Sequence, residues 1–200
     1  MRALFLRGLI VVALPFAFVA IQSTPASAQR QQPGSLVAVE PIIPTRIEAL
    51  LATPNLLLVV DYYRIDMRFG PNMRMDAVIV EDVESRTRVK GLRVQVRDPE
   101  SRGRQEGTSF IDIDEVFRLS RALNSMAELA AKWTQDDRQA TELSLTTTGG
   151  FRLAIRQSAR IPRAFLSTGL LDPVVTSIEV AELPTLKHAF DQALAILNSK

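Results

Sequence analysis

The sequence has 200 residues, of which 24 are Lys or Arg, 22 are Asp or Glu, one is His and none is Cys. Without cysteine the protein has no disulfide, no thiolate metal site and no cysteine nucleophile. A chain of this length can bury a hydrophobic core without such covalent support.

The N-terminus has the three parts of a secretory signal peptide. Two arginines precede an apolar run over residues 8–21, and Ala26-Ser27-Ala28 follows as a small-x-small cleavage pattern. We therefore expect residues 1–28 to be removed and the exported protein to begin at Gln29, in the periplasm or outside the cell. The run is shorter than the roughly 20 apolar residues that span a bilayer, so we expect no stable membrane span after cleavage.

Removing this segment changes the charge of the protein. It contains Arg2 and Arg7 and no acidic residue, so the remaining 172 residues carry 22 basic and 22 acidic side chains. A protein that binds nucleic acid without sequence preference usually has a strong basic excess. The neutral balance therefore argues against nucleic acid as a routine partner.

Residues 29–55 are predicted to be a flexible lead-in that includes one short helix. The segment begins with the polar stretch QRQQPG. Thr45 is a suitable N-cap for a helix over residues 46–52, which has to end before Pro54.

Two strand-rich segments follow, and each ends in a helix. Alternating apolar and polar residues predict four strands before a helix that is capped by Asp114 and ends near Trp133. A Gly149-Gly150 hairpin turn lies in the second segment, and Pro184 marks the start of its helix. The predicted strands cover residues 56–69, 73–79, 92–97, 108–113, 143–147, 151–156, 161–167 and 176–181.

This order predicts an α+β fold with an internal repeat. The two β4α units cover residues 56–135 and 136–200, and each antiparallel sheet is followed by a helix that packs against it. The strand–helix junctions match, because Ile111-Asp112-Ile113 corresponds to Ile178-Glu179-Val180 in the second unit.

The β4α–β4α order is similar to that of the Whirly and Pur-type single-stranded nucleic-acid-binding families. The resemblance covers roughly residues 56–200 and implies two sheets with an outer face and two helices behind them. The sequence contains no motif of those families, so no binding residue follows from it. Separately, residues 110–116 (FIDIDEV), Trp133 and residues 148–151 (TGGF) resemble exported bacterial proteins of this length that are uncharacterised.

Polar residues on the outward positions of the strands are the candidate ligand-binding residues. Guanidinium groups on a sheet face can hold phosphate, sulfate or carboxylate groups in bidentate fashion, and a tyrosine beside them can stack on a base or sugar. The alternative is a solvated face whose arginines pair across strands with Asp66, Asp76 and Glu142. The candidates are Tyr62, Arg64, Arg68, Arg93, Arg97, Arg152 and Arg156.

The acidic residues and the one histidine give weaker indications. Asp112, Asp114 and Glu115 offer oxygen ligands for a metal ion, but their position at a helix start favours a capping role. His188 is expected on a helix surface. Asp61 lies among apolar neighbours, either at a strand edge or as a buried carboxylate with a raised pKa.

No catalytic, phosphate-binding or dinucleotide motif is present, so we expect no catalytic residue, metal or cofactor. The sequence favours an exported, non-catalytic binding or structural module of the cell envelope, whose partner is an envelope or extracellular ligand or protein. The first alternative is a binder of single-stranded nucleic acid or another polyanion through the sheet arginines. The second is a metal-assisted hydrolase that uses Asp61 or the acids at 112–115.

Overall fold

The computed structural model describes residues 43–67, 72–98, 105–133, 140–158 and 161–200. The predicted signal peptide and residues 29–42 of the predicted lead-in lie outside these residues. Within them, no helix combines the length and the apolar composition needed to cross a membrane.

The short helix α1 (Arg46–Ala52) forms where the sequence predicts it. Thr45 is its N-cap, with a side-chain oxygen that accepts from the backbone N–H of Glu48 at 3.1 Å. The Glu48 carboxylate in turn accepts from the backbone N–H of Thr45 at 2.8 Å. This reciprocal capping box satisfies two N–H groups that a helix start otherwise leaves unpaired, which explains how so short a helix is held in place.

The first unit is a four-stranded antiparallel sheet followed by a helix, as predicted. The first strand is shorter than expected and ends at Arg64. The helix begins at Ile113, so the predicted N-cap Asp114 is wrong: this residue lies inside the first turn, where its negative charge interacts favourably with the positive end of the helix dipole. The elements are β1 (Leu58–Arg64), β2 (Met73–Asp82), β3 (Arg88–Arg97), β4 (Glu106–Asp112) and α2 (Ile113–Trp133).

The second unit repeats this order with a second antiparallel sheet. Gly150 takes the positive φ of 76° that its hairpin turn requires. The α+β fold with two repeated β4α units is therefore confirmed. The elements are β5 (Ala140–Thr146), β6 (Arg152–Ser158), β7 (Ile161–Thr168), β8 (Val174–Glu179), a 3₁₀ turn (Val180–Glu182) and α3 (Leu183–Ser199).

One hydrophobic core joins the inner faces of both sheets to the two long helices. The rings of Phe151 and Phe190 meet in it, with centroids 6.1 Å apart. Helices α2 and α3 pack on each other, and α3 also packs against β2 and β3 of the first sheet. Its last turn is held there by Lys90, which donates from Nζ to the carbonyl oxygen of Leu197 at 2.8 Å.

A second, smaller core lies on the opposite face of the first sheet. Ile47 of α1 packs on Val78 and Val80 of β2, and all three are fully buried. Strand β2 is therefore covered on both faces along this part of its length. The remainder of the outer face stays free of any described helix, and most of the candidate residues of this sheet lie there.

Candidate ligand-binding faces

The predicted ligand-binding residues lie on two separate faces. Strand register places Tyr62, Arg64, Arg93 and Arg97 on the outer face of the first sheet, because their partners across the ladder share that side of the pleat. Arg152 and Arg156 lie on the outer face of the second sheet. Arg68 falls outside the described residues.

A buried carboxylate organises the first face. Asp76 of β2 is 0% exposed and accepts hydrogen bonds from two arginines. Arg74 donates from Nε at 3.1 Å, and Arg93, its cross-strand neighbour on β3, donates from a terminal nitrogen at 2.9 Å. The Arg93 guanidinium also lies 4.1 Å from the ring centroid of Tyr62, within cation–π range. We call these four residues the Asp76 cluster.

Two further arginines of this face remain close to water. Arg97 reaches Glu106 on β4 at 3.4 Å, and both side chains are largely exposed. Arg64 is exposed and forms no ion pair within the part of the chain that the structure describes. Together with Arg74 and Gln95 they line an open concavity of about 290 Å³ at the end of the sheet.

The second face repeats this arrangement with a different acid. Glu142 of β5 accepts from Arg156 Nε at 2.6 Å and from a terminal nitrogen of Arg152. The hydrogen bond from Arg156 is the main reason that the pKa of Glu142 lies below its usual value, and partial desolvation opposes it. The Arg156 guanidinium lies 5.3 Å from the ring centroid of Phe165 on β7. These residues form the Glu142 cluster.

A groove on this second face runs beside the cluster. Ala154 lies between the two arginines on β6, and its neighbours across the ladder are Ser144 and Phe165. Because alanine is the shortest side chain in this row, it leaves a depression between longer groups. The groove encloses about 330 Å³, and among its lining residues are Arg152, Ala154, Arg156, Phe165, Leu170 and Val175.

The predicted ion pairs are correct for two of the three acids. Asp76 and Glu142 pair with outward arginines, and in each case one partner is directly opposite on the next strand. The expected pairing of Asp66 stays a prediction, because this residue follows the end of β1 and the candidate partner Arg68 lies outside the described residues. It lies near His188, beside an open surface concavity.

The acids at the β4–α2 junction have structural partners. Asp112 accepts from the backbone N–H of Arg46 at 3.0 Å, and the Arg46 guanidinium also pairs with Asp114. Glu115 accepts from the backbone N–H of Thr148 at 2.9 Å. Within the described residues no group of three or more potential ligands is arranged to hold a metal ion. The three acids therefore join α1 and the β5–β6 turn to the junction.

Asp61 and His188 are both exposed side chains. Asp61 lies opposite Ile79 on the edge strand β1, where the sheet ends and water reaches the carboxylate. The strand-edge interpretation of this residue is confirmed, and the buried alternative is wrong. His188 lies on the surface of α3, as expected.

Sequence reasoning missed the apolar half of the groove. Phe165 and Ala154 are 11 positions apart, and only the β6–β7 register brings them opposite each other. The alternation in β7 was a usable signal, because it places Phe165 outward. Leu170 comes from the loop after β7, for which the sequence offers no periodic pattern.

Comparison with known proteins gives little further guidance. No family model and no curated protein matches the sequence. Among solved structures, the Whirly protein WHY1 from Arabidopsis thaliana is similar at 13% identity and a TM-score of 0.30, over 72% of this chain and 93% of that one. This agrees with the element order, but so low a TM-score carries no argument about what this chain does.

Proposed function

We propose that the protein is an exported, non-catalytic binding module that presents the outer faces of its two sheets to ligands. The observation that supports this most is the repeated construction of those faces. Each has one carboxylate that fixes two arginines, with one guanidinium held over an aromatic ring. Side chains fixed in this way lose little further freedom when they bind a partner.

A binding role fits the described residues better than a hydrolytic one. The acids suggested for hydrolysis are each accounted for: Asp112 and Glu115 join structural elements, and Asp61 stands alone at a sheet edge. A general acid–base pair needs two titratable groups within reach of one substrate. None of these suggested acids lines a described concavity together with a second carboxylate or a histidine. Asp66 and His188 do share one, and it is open to solvent.

The proposal is tested by thermal unfolding of the purified protein against a panel of defined probes. The panel contains short aliphatic and aromatic carboxylates, inorganic phosphate, heparin and a dT20 oligonucleotide. A ligand that binds only the folded state at about 100 times its Kd stabilises it by about 2.7 kcal/mol. We expect at least one class to raise Tm in a concentration-dependent way. If no class does, or if the protein turns over any probe, the proposal fails.

Polyanion binding through the first face is a second candidate function. It is favoured by Tyr62, which is 45% exposed next to the Arg93 guanidinium, and by Arg64, which forms no ion pair with any residue that the structure describes. A stacking ring beside free cations is the usual platform for single strands. Fluorescence anisotropy with labelled dT20 tests it. Binding must weaken with salt and with Tyr62→Ala, whereas Tyr63→Ala, next to it on the inner side, is the matched control.

A further inference from the structure

The groove on the second face has an unusual combination of an apolar lining and unused hydrogen-bond donors. Glu142 occupies one terminal nitrogen of Arg152 and the Nε of Arg156. The Nε of Arg152 is buried and has no hydrogen-bond partner. That nitrogen is shielded, but the Arg152 and Arg156 side chains are 42% and 54% exposed, so the terminal N–H groups that Glu142 leaves free can donate to a ligand.

The excess positive charge beside the groove favours an anionic ligand. Two guanidinium groups face one carboxylate, so the Glu142 cluster keeps a net positive charge. The remaining N–H groups of an arginine fork match the two oxygens of a carboxylate. The excess within the cluster is a single charge, which one carboxylate balances.

The other lining residues favour a ligand whose remaining part is apolar and small. Phe165, Leu170 and Val175 line the groove, and the last two are 49% and 44% exposed. At one end a Cβ on Gly150 would lie 2.7 Å from Leu170, so the β5–β6 and β7–β8 loops touch there. A volume of about 330 Å³ is at the lower limit of small-molecule sites, which start at roughly 300 Å³.

We propose that this groove binds a small free monocarboxylic acid with an aromatic or aliphatic body. The carboxylate lies against Arg152 and Arg156, and the body lies over Ala154 against Phe165 and Leu170. The contact between the two loops blocks that end of the groove, which favours a compact molecule over a polymer that passes through. This inference rests on the proposed binding function and names the ligand class of one of its faces.

The test compares 3-phenylpropanoate with its uncharged amide, 3-phenylpropanamide, by isothermal titration calorimetry on the purified full chain. A fragment of this size is expected to bind with a Kd of about 1 mM, and the amide at least about tenfold more weakly. Arg152→Gln is expected to weaken the acid about tenfold, since it removes both the charge and the free donor. Arg118→Gln removes the same charge from the exposed surface of α2 and is expected to change Kd less than about twofold.

Ala154→Leu fills the groove and is expected to abolish binding. Because a larger residue here can disturb the sheet, Arg156→Gln is measured beside it, and the Tm of each variant reports on folding. The inference is overturned by equal affinity for acid and amide, by equal effects of Arg152→Gln and Arg118→Gln, or by no saturation up to about 20 mM. If the acid fails while another panel probe still raises Tm, only this inference fails, and the proposed function stands.

Discussion

Replacing Asp76 by alanine is expected to destabilise the protein far more than breaking an exposed ion pair of the same sheet. The variant leaves Arg93, whose side chain is 19% exposed, without its anionic partner. Removal of one member of a buried pair costs about 3–5 kcal/mol. Because Arg74 is 44% exposed and can be solvated, we expect a loss of about 3 kcal/mol.

Glu106→Ala is the matched control, since it removes a carboxylate that an arginine also reaches, at 3.4 Å, on the same outer face. Both side chains of that pair are exposed, so we expect about 0.5 kcal/mol. Urea unfolding of the three proteins at a common m-value gives both numbers. Asp76→Ala combined with Arg93→Met should recover about 1.5 kcal/mol, because the less exposed of the two guanidinium groups left without Asp76 is then absent. If Asp76→Ala lowers the free energy of unfolding no more than Glu106→Ala does, Asp76 is not a stabilising buried partner of Arg93.

Three further predictions concern other parts of the molecule. The hydrogen bond from Arg156 lowers the pKa of Glu142, so the stabilisation that the ionised Glu142 gives the fold is present at neutral pH and is lost as the pH falls. The Tm difference between wild type and Glu142→Gln should therefore shrink between about pH 5 and pH 3. A Tm difference that stays constant over this range contradicts the prediction. A Cβ on Gly149 would lie 1.9 Å from the carbonyl oxygen of Phe110. Gly149→Ala should therefore lower the free energy of unfolding, measured in urea, by about 3 kcal/mol. An unchanged free energy of unfolding would show that the turn can move away from Phe110. The exported protein should begin at Gln29 by intact-mass measurement, whereas an uncleaved chain would remove the export assignment.

Local chemistry explains what could be predicted from the sequence. The N-cap at Thr45, the hairpin turn at Gly150 and the alternation along β3 each depend on residues a few positions apart. For the same reason the outward direction of Arg93 and Arg156 was predictable. The Asp76 and Glu142 pairs followed from it, since one carboxylate among outward arginines has few other partners.

Long-range packing explains what could not be predicted. Val78 and Val80 lie at outward positions of β2 and are buried only because Ile47 of α1 covers them. The continuous apolar run AVIV at residues 77–80 was a sign that both faces of this strand are covered. The docking of α3 on the first sheet had no such sign, because an amphipathic helix does not encode which sheet it covers.

Residues 110–116 (FIDIDEV) and 148–151 (TGGF) have a structural role. The backbone carbonyl oxygen of Phe110 lies close to the Cα of Gly149. The Glu115 carboxylate accepts two hydrogen bonds from Thr148. The two sequence segments therefore form one joint between the β4–α2 junction and the β5–β6 turn. They hold the fold together and give no indication of a ligand.

The proposed function places ligand binding at the outer sheet faces. Its most direct test is a two-dimensional NMR titration of the isotope-labelled protein with 3-phenylpropanoate and, separately, with dT20. We expect the amide signals that shift to belong to outward residues of β1–β4 or β5–β8. With 3-phenylpropanoate, the signals of residues around Ala154 and Phe165 should shift. Shifts confined to the exposed surfaces of α2 and α3, or no shifts with either probe, would contradict it.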